Sequence, residues 1–398
     1  MSPAPITEFP FARPADRPYL PPEGLAPLRE ESPLRRFTYP DGHEGWAATG
    51  WSTVRAILAD PRFSSRYELL HLHIPDAPPG GLPPARPGDL TGIDPPEHTR
   101  LRKLVAGRFT NRRMRALADR IARFTAEALD DMERRGPGVD LVEAFAYPVP
   151  SLMICELLGV PEGDRAVFHR HAREAMGAGE SHDAMQEALT ALQDFIAAMV
   201  PAKRARPTDD VLSELTATDL TDEEIAGLGG FLLGAGFDTT AHMLSLGTLA
   251  LLDNPDQAAL LREDPDLADG AVEELMRYLS VAHTTAKAAL EDVELDGHVI
   301  RAGETVTLSL IAANHDPARY PSPEKLDLRR AAAGQLGFAH GIHQCLGAQL
   351  ARVEMRTAFP ALLRRFPTLR LACPREELEF YDMVVYSLRA LPVAWDDA

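Results

Sequence analysis

The sequence predicts a mainly α-helical protein with small peripheral β-sheets. Two observations carry that expectation. Apolar residues recur at helical spacing through most of the roughly 220 residues after position 50. Strand-like runs are short, and two of them bracket an Asp-Gly pair, Asp41-Gly42 and Asp296-Gly297, which tolerates the positive φ of a tight hairpin.

In chain order, residues 1–22 carry several prolines and no basic segment followed by an apolar one, so they read as an extended arm without a secretory leader. Residues 36–39 and 45–49 are the first hairpin. Helices are expected over 52–58, 98–108, 112–134, 150–158, 182–199 and onward from Thr221. Residues 67–91, rich in Pro and Gly, and 177–181 read as mobile surface loops. Residues 293–300 form the second hairpin, 305–309 a further strand, and 381–393 hold strand-like β-branched residues.

The 398 residues carry 41 basic and 59 acidic side chains, a net charge of −18. Such a balance argues against a nucleic-acid or anionic-membrane partner for the chain as a whole. The most apolar run, 225–237, lies between Glu224 and Asp238 and falls short of the roughly 20 residues a bilayer span needs, so it reads as a buried helix with no membrane anchor. Three widely spaced cysteines, Cys155, Cys345 and Cys373, are too few for a disulfide framework and point to a reducing, cytoplasmic compartment.

Free cysteines are usually inert core residues, and Cys155 and Cys373 are read that way. Cys345 differs. It follows Gly341-Ile342-His343-Gln344 and precedes Leu346-Gly347 and a helix-forming run from Ala348, where free amides and the helix dipole favour thiolate. Three chemistries compete for it: a Cys/His nucleophile, a zinc ligand and a haem-thiolate ligand. Zinc lacks a second nearby Cys. Haem accounts for more of the residues: Phe338, Gly341, His343, Cys345 and Gly347 resemble the haem-binding loop of the cytochrome P450 superfamily, soluble bacterial (actinobacterial-type) class, with Ala339 where that family usually has Gly. The resemblance covers essentially the whole chain. It implies a triangular helical domain with small sheets spanning 1–398, haem b, and Cys345 as the axial iron ligand shielded by Phe338.

Thr221 and Glu224 form a capping box at the start of the long helix. Gly227, Gly229, Gly230, Gly234 and Gly236 follow within it, each costing about 1 kcal/mol relative to alanine. Close helix packing is the reading for the first three. The segment Gly234 to Thr240 resembles the P450 oxygen-binding stretch. Thr239, four residues after Ala235, is placed to bond the Ala235 carbonyl and open the helical ladder. The resemblance makes Asp238 and Thr239 the catalytic pair that relays protons to oxygen.

Glu274 and Arg277 share a helix face, and with Arg330 they match the family's buried structural clamp. His98 and Arg102, four apart, resemble the residues that hold a haem propionate; His343 and Lys287 join them, Lys287 standing where many relatives have Arg. By register, Phe231, Gly234 and Ala235 line an apolar substrate pocket, with Ala282 and Val385 as further candidates. His71 and His73 could share an extended face as a metal site, but further ligands are missing.

Between Arg100 and Arg120 stand eight basic residues against one acid, Asp119. A solvated face is the plain reading. Family electron donors dock near this helix, so an acidic ferredoxin is expected there, passing electrons from NAD(P)H through ferredoxin reductase. The implied activity is a monomeric monooxygenase that inserts one atom of O₂ into an apolar natural-product-like molecule, polyketide-, macrolide- or terpenoid-like, by hydroxylation or epoxidation. The alternatives are a haem-thiolate peroxygenase and a haem-binding sensor without turnover.

Overall fold

The computed structural model describes residues 5–73, 82–175, 182–382 and 385–396. Both Asp-Gly hairpins form. Strands Leu34–Thr38 and Glu44–Ala48 pair antiparallel around Gly42, whose φ is +85°. Asp296 and Gly297 both take positive φ between Val293–Leu295 and His298–Ile300. Leu34–Thr38 and Glu44–Ala48 open a five-stranded sheet continued by Thr305–Ser309, Thr284–Ala289 and Phe63–Ser64, with one parallel pairing, Glu44–Ala48 on Thr305–Ser309. Residues 381–393 divide into Phe380–Asp382, Tyr386–Leu388 and Pro392–Ala394, which serve two separate small sheets.

The architecture is mainly helical around Asp222–Asp253. Its Thr221–Glu224 capping box is complete in both directions. Every residue from Thr240 to Leu251 is buried, and helices Pro148–Leu158, His182–Ala205 and Ala348–Arg365 and strand Tyr386–Leu388 pack along Asp222–Asp253. That all-round apolar half is a core helix, since a surface helix would keep a polar face. Among the described residues no helix is long and apolar enough to cross a membrane.

The structure corrects several sequence expectations. Residues 112–134 are two helices, Asn111–Ala116 and Ala118–Arg135, hinged at Leu117. No Gly or Pro marks the break; Arg113 is drawn to Glu214 at 2.7 Å while Ile121 and Phe124 turn into the core. Helix Arg165–Ala175 carried too little apolar pattern to be foreseen, and it anchors through Phe168 and Ala172. The 67–91 loop has fastened ends: Leu70 and Leu90 are buried, and the Tyr67 hydroxyl donates to Asp89 at 3.0 Å. Its residues 74–81, and the loop expected at 177–181, lie outside the described residues. Residues 5–22 hold no helix and are tied down, with Arg13 donating to the carbonyls of Leu279 and Ser280.

The long-helix glycines divide by what surrounds them. A Cβ on Gly227 would lie 1.8 Å from the Pro87 carbonyl oxygen, and one on Gly229 would lie 2.7 Å from Ile196. Gly88, at φ +88°, presses back on the Leu228 amide. Gly230 does not share this close packing, contrary to expectation: it and Gly234 face open space within 4 Å.

Candidate active site

The loop before helix Ala348–Arg365 is closed by its own backbone. The Cys345 amide donates to the Phe338 carbonyl at 2.9 Å, and Gln344 to Gly341 at 3.1 Å. Gly341 has φ +76°, and a Cβ there would meet the Leu58 carbonyl at 2.2 Å. Ala339 sits at φ +55°, left-handed backbone that costs an L-residue about 1–2 kcal/mol. That conformation explains why Gly suits the position better. Phe338 is buried beneath the Arg352 guanidinium, 4.5 Å from its ring centroid.

Cys345 has accessible surface yet is hemmed in by protein, which puts it on the wall of an internal cleft. Burial pushes its thiol up, and this outweighs the Gly347 and Ala348 amides and the Arg102 and Arg352 charges that favour thiolate. The amides at the helix start favour thiolate, in the expected direction, but do not by themselves offset burial. Coordination to a metal would, because a ligating thiol is deprotonated outright. Cys155 is a core residue, its thiol pushed up to about 12 by burial; Cys373 is only half-buried.

His98, Arg102, Lys287 and His343 converge. The rings of His98 and His343 are 4.2 Å apart. Burial, with Lys287 and His98 adding to it, pushes His343 down to about 3. Burial lowers Lys287 to about 8; its ammonium donates to Ser65. The nearby carboxylate, Asp94, is held by the Ser65 amide at 2.9 Å. Arg102 donates to the Gln344 carbonyl. Both ring nitrogens of His98 and Nε2 of His343 are buried without a hydrogen-bond partner. Buried donors and cations with unmet bonding capacity, beside a thiol on a cleft wall, fit a flat cofactor that carries carboxylates and a thiolate-ligated metal. Haem is such a group.

On the long helix, Gly234 and Ala235 are exposed between buried Leu233 and half-buried Gly236. The Thr239 hydroxyl donates to the Ala235 carbonyl at 2.9 Å, as expected, but the helix runs through this turn without opening. Asp238 Oδ1 lies 2.9 Å from His242 Nε2. Phe231 is half-buried beside this stretch. Ala282 and Val385, distant in sequence, form an isolated antiparallel bridge.

Glu274, Arg277 and Arg330 meet. Arg277 makes a two-pronged contact to Glu274 at 2.7 and 2.9 Å, and Arg330 adds a third bond at 3.0 Å. The basic run is largely spent internally: Arg108 and Arg113 pair with Glu214, Arg120 with Glu156 and Arg100 with Glu224. Lys103, Arg112 and Arg115 are exposed and have no ion pair among the described residues. His71 bonds Asp41 at 2.6 Å and stacks on His43, whereas His73 packs against Phe9 and Phe11. No cluster able to hold a metal ion occurs among the described residues.

Sequence reasoning missed Ser65, Arg352 and His242. The last had a readable signal, since it stands one helical turn after Asp238.

A family model described as Cytochrome P450 matches residues 166–385. The chain is 47% identical over 396 residues to cytochrome P450 105C1 of a Streptomyces species, covering 98% of this chain and 99% of that protein. It is 41% identical to the cytochrome P450 monooxygenase PikC of Streptomyces venezuelae, with 93% of this chain and 90% of that one covered. The crystal structure of CYP105P1 in complex with filipin I superposes with a TM-score of 0.89 at 44% identity, covering 98% of this chain and 99% of the other. With the thiol loop, the long helix and the full-length likeness all in agreement, the chain belongs to the cytochrome P450 family and is a P450 monooxygenase.

Proposed function

We propose that this monooxygenase oxidises an apolar natural-product-type molecule, polyketide-, macrolide- or terpenoid-like, with haem b held by Cys345 and electrons supplied by a ferredoxin. The observation that carries the reading is the exposed Gly234-Ala235 step between buried Leu233 and Phe237, next to the Thr239 hydroxyl. It leaves an apolar surface beside a proton-bearing group. Similarity to a protein crystallised with filipin I supports the substrate class.

Haem bound through the Cys345 thiolate supplies the dioxygen-activating chemistry. Phe338 and Arg352 cover the sulfur side against water. Gly347 leaves room for close approach, a Cβ there meeting nothing within 4 Å. His98, Arg102, Lys287 and His343 would hold the haem propionates. Asp238 and Thr239 would hold and pass protons beside the Gly234-Ala235 step. Phe231, Gly234, Ala235, Ala282 and Val385 shape the pocket. Glu274, Arg277 and Arg330 serve folding.

Of the basic face, Lys103, Arg112 and Arg115 are the charges left to meet an acidic ferredoxin, which receives electrons from NAD(P)H through its reductase. The setting is cytoplasmic and the working unit a monomer. The test is a spin-state titration with apolar candidate ligands, followed by product analysis with ferredoxin and reductant and, separately, with peroxide alone. Product is expected with reductant and ferredoxin, and more slowly with peroxide. Product with peroxide but none with reductant would instead identify a peroxygenase, and no product under either condition a sensor. Electron transfer should slow as ionic strength rises; rates indifferent to salt would remove the charge-guided ferredoxin.

A further inference from the structure

We propose that His242 is where protons enter this site, passing them from an outer crevice to Asp238. The proposal rests on Asp238 and Thr239 being the proton-handling pair. His242 follows Asp238 by one helical turn, with Nε2 2.9 Å from Asp238 Oδ1. The N–H direction misses that oxygen: Asp238 Oδ1 and His242 Nδ1 are both buried without a hydrogen-bond partner. Among the described residues no hydrogen bond restrains the ring, so it can turn about its broad Cβ–Cγ torsion. An imidazole can take a proton at one nitrogen and release another from the second.

The ring also lines a crevice of about 230 Å³, large enough for several waters. Tyr147, beside helix Pro148–Leu158, meets the ring edge-on at 6.0 Å. Asp140, Glu143, Tyr381, Ser387 and Arg389 complete the walls. Glu143 and Arg389 are exposed, so the rim reaches solvent. These charges have other partners: Asp140 accepts from the Val142 and Leu391 amides, Glu143 lies 3.5 Å from Arg135, and Arg389 bonds Glu379 at 2.7 Å. The imidazole is the group that touches both the crevice and the site acid.

The stoichiometry supplies the test. Inserting one oxygen atom of O₂ consumes two electrons and two protons and releases water. Hydrogen peroxide carries both electrons and both protons already, so peroxide-driven turnover draws no net proton from solvent. His242→Asn in the haem-loaded enzyme should therefore cut reductant-driven product formation by about tenfold, less than the roughly 100-fold loss of a directly acting proton donor, because water partly replaces the ring. Peroxide-driven turnover should stay unchanged. Independently of activity, the ¹⁵N-histidine resonance lost in His242→Asn should shift in Asp238→Asn, recorded in the ferrous carbon-monoxide form. His242→Gln, closer in volume, guards against misfolding.

Several results would overturn the proposal. If reductant- and peroxide-driven rates fall together, His242 only packs the helix. A resonance indifferent to Asp238→Asn would remove the coupling. If His242→Asn stays fully coupled while Asp238→Asn uncouples, protons enter elsewhere and the Asp238–Thr239 reading stands. If Asp238→Asn and Thr239→Ala both stay coupled, that reading fails and this proposal with it.

Discussion

Arg102 donates its guanidinium to the carbonyl of Gln344 at 2.5 Å, and Gln344 is the residue next to Cys345. Helix Glu97–Ala106 thereby fixes the backbone that presents the sulfur. The same charge opposes the burial that pushes the thiol up. A hydrogen bond from a charged group contributes about 1.5–3 kcal/mol. Arg102→Ala should therefore release haem to a scavenging protein at least about tenfold faster than the parent, with Arg102→Lys between, since lysine keeps charge without the planar fork. Equal release rates for all three would show that the contact does not hold the site.

Thr239 offers a cleaner separation of structure from chemistry. Its hydroxyl bonds Ala235 without breaking the helix, so removing it costs little stability. Thr239→Ala should bind haem and substrate normally but divert reducing equivalents to peroxide, whereas Thr239→Ser should retain coupling. Product and peroxide measured per NAD(P)H consumed decide it; unchanged coupling in the alanine variant would end the relay role.

The Glu274 triad should show its weight in folding. Glu274 and Arg277 are fully buried, and removing one member strands the other's charge, at about 3–5 kcal/mol. Glu274→Ala and Arg277→Ala should fall in that range by denaturant unfolding at fixed haem occupancy. Arg330→Ala should lose less, because its side chain keeps some solvent contact. Losses under 1 kcal/mol for the first two would contradict the buried-pair account.

His73 gives a prediction in pH. Burial against Phe9 and Phe11 pushes it down to about 4 from 6.5. The unfolded chain takes up this proton first, so the stability held above pH 6.5 is lost as pH falls toward 4. The loss is on the order of 3 kcal/mol at most. His73→Phe should flatten the acid limb of the stability profile over that window. An unchanged limb would mean that the ring finds a polar partner when protonated.

What could be read in the sequence was local. The capping box, the Thr239 bond to Ala235 and the shared face of His98 and Arg102 all follow from spacings of three or four residues along a helix. Hairpin turns were legible because Gly42, Asp296 and Gly297 had to supply positive φ. Contacts between distant segments were legible only where the family resemblance supplied them, as for Arg330 on Glu274 and for His343 beside His98. Nothing near Arg102 announces Gln344, 242 positions on. A charge count over residues 100–120 reveals the basic excess but not that Glu214, Glu156 and Glu224 consume half of it. The break at Leu117 is likewise imposed by tertiary contacts and carries no breaker of its own.

The glycines of the long helix also set how this enzyme can diversify. At Gly227 and Gly229 any side chain collides with Pro87 or Ile196, so drift there is purged before it can alter the spectrum of molecules accepted. Gly230 and Gly234 face open space, and exchange for alanine or serine there adds helix propensity while pushing bulk outward. A descendant lineage, or a laboratory library, could therefore trade one set of guests for another at Gly234 while gaining helix propensity.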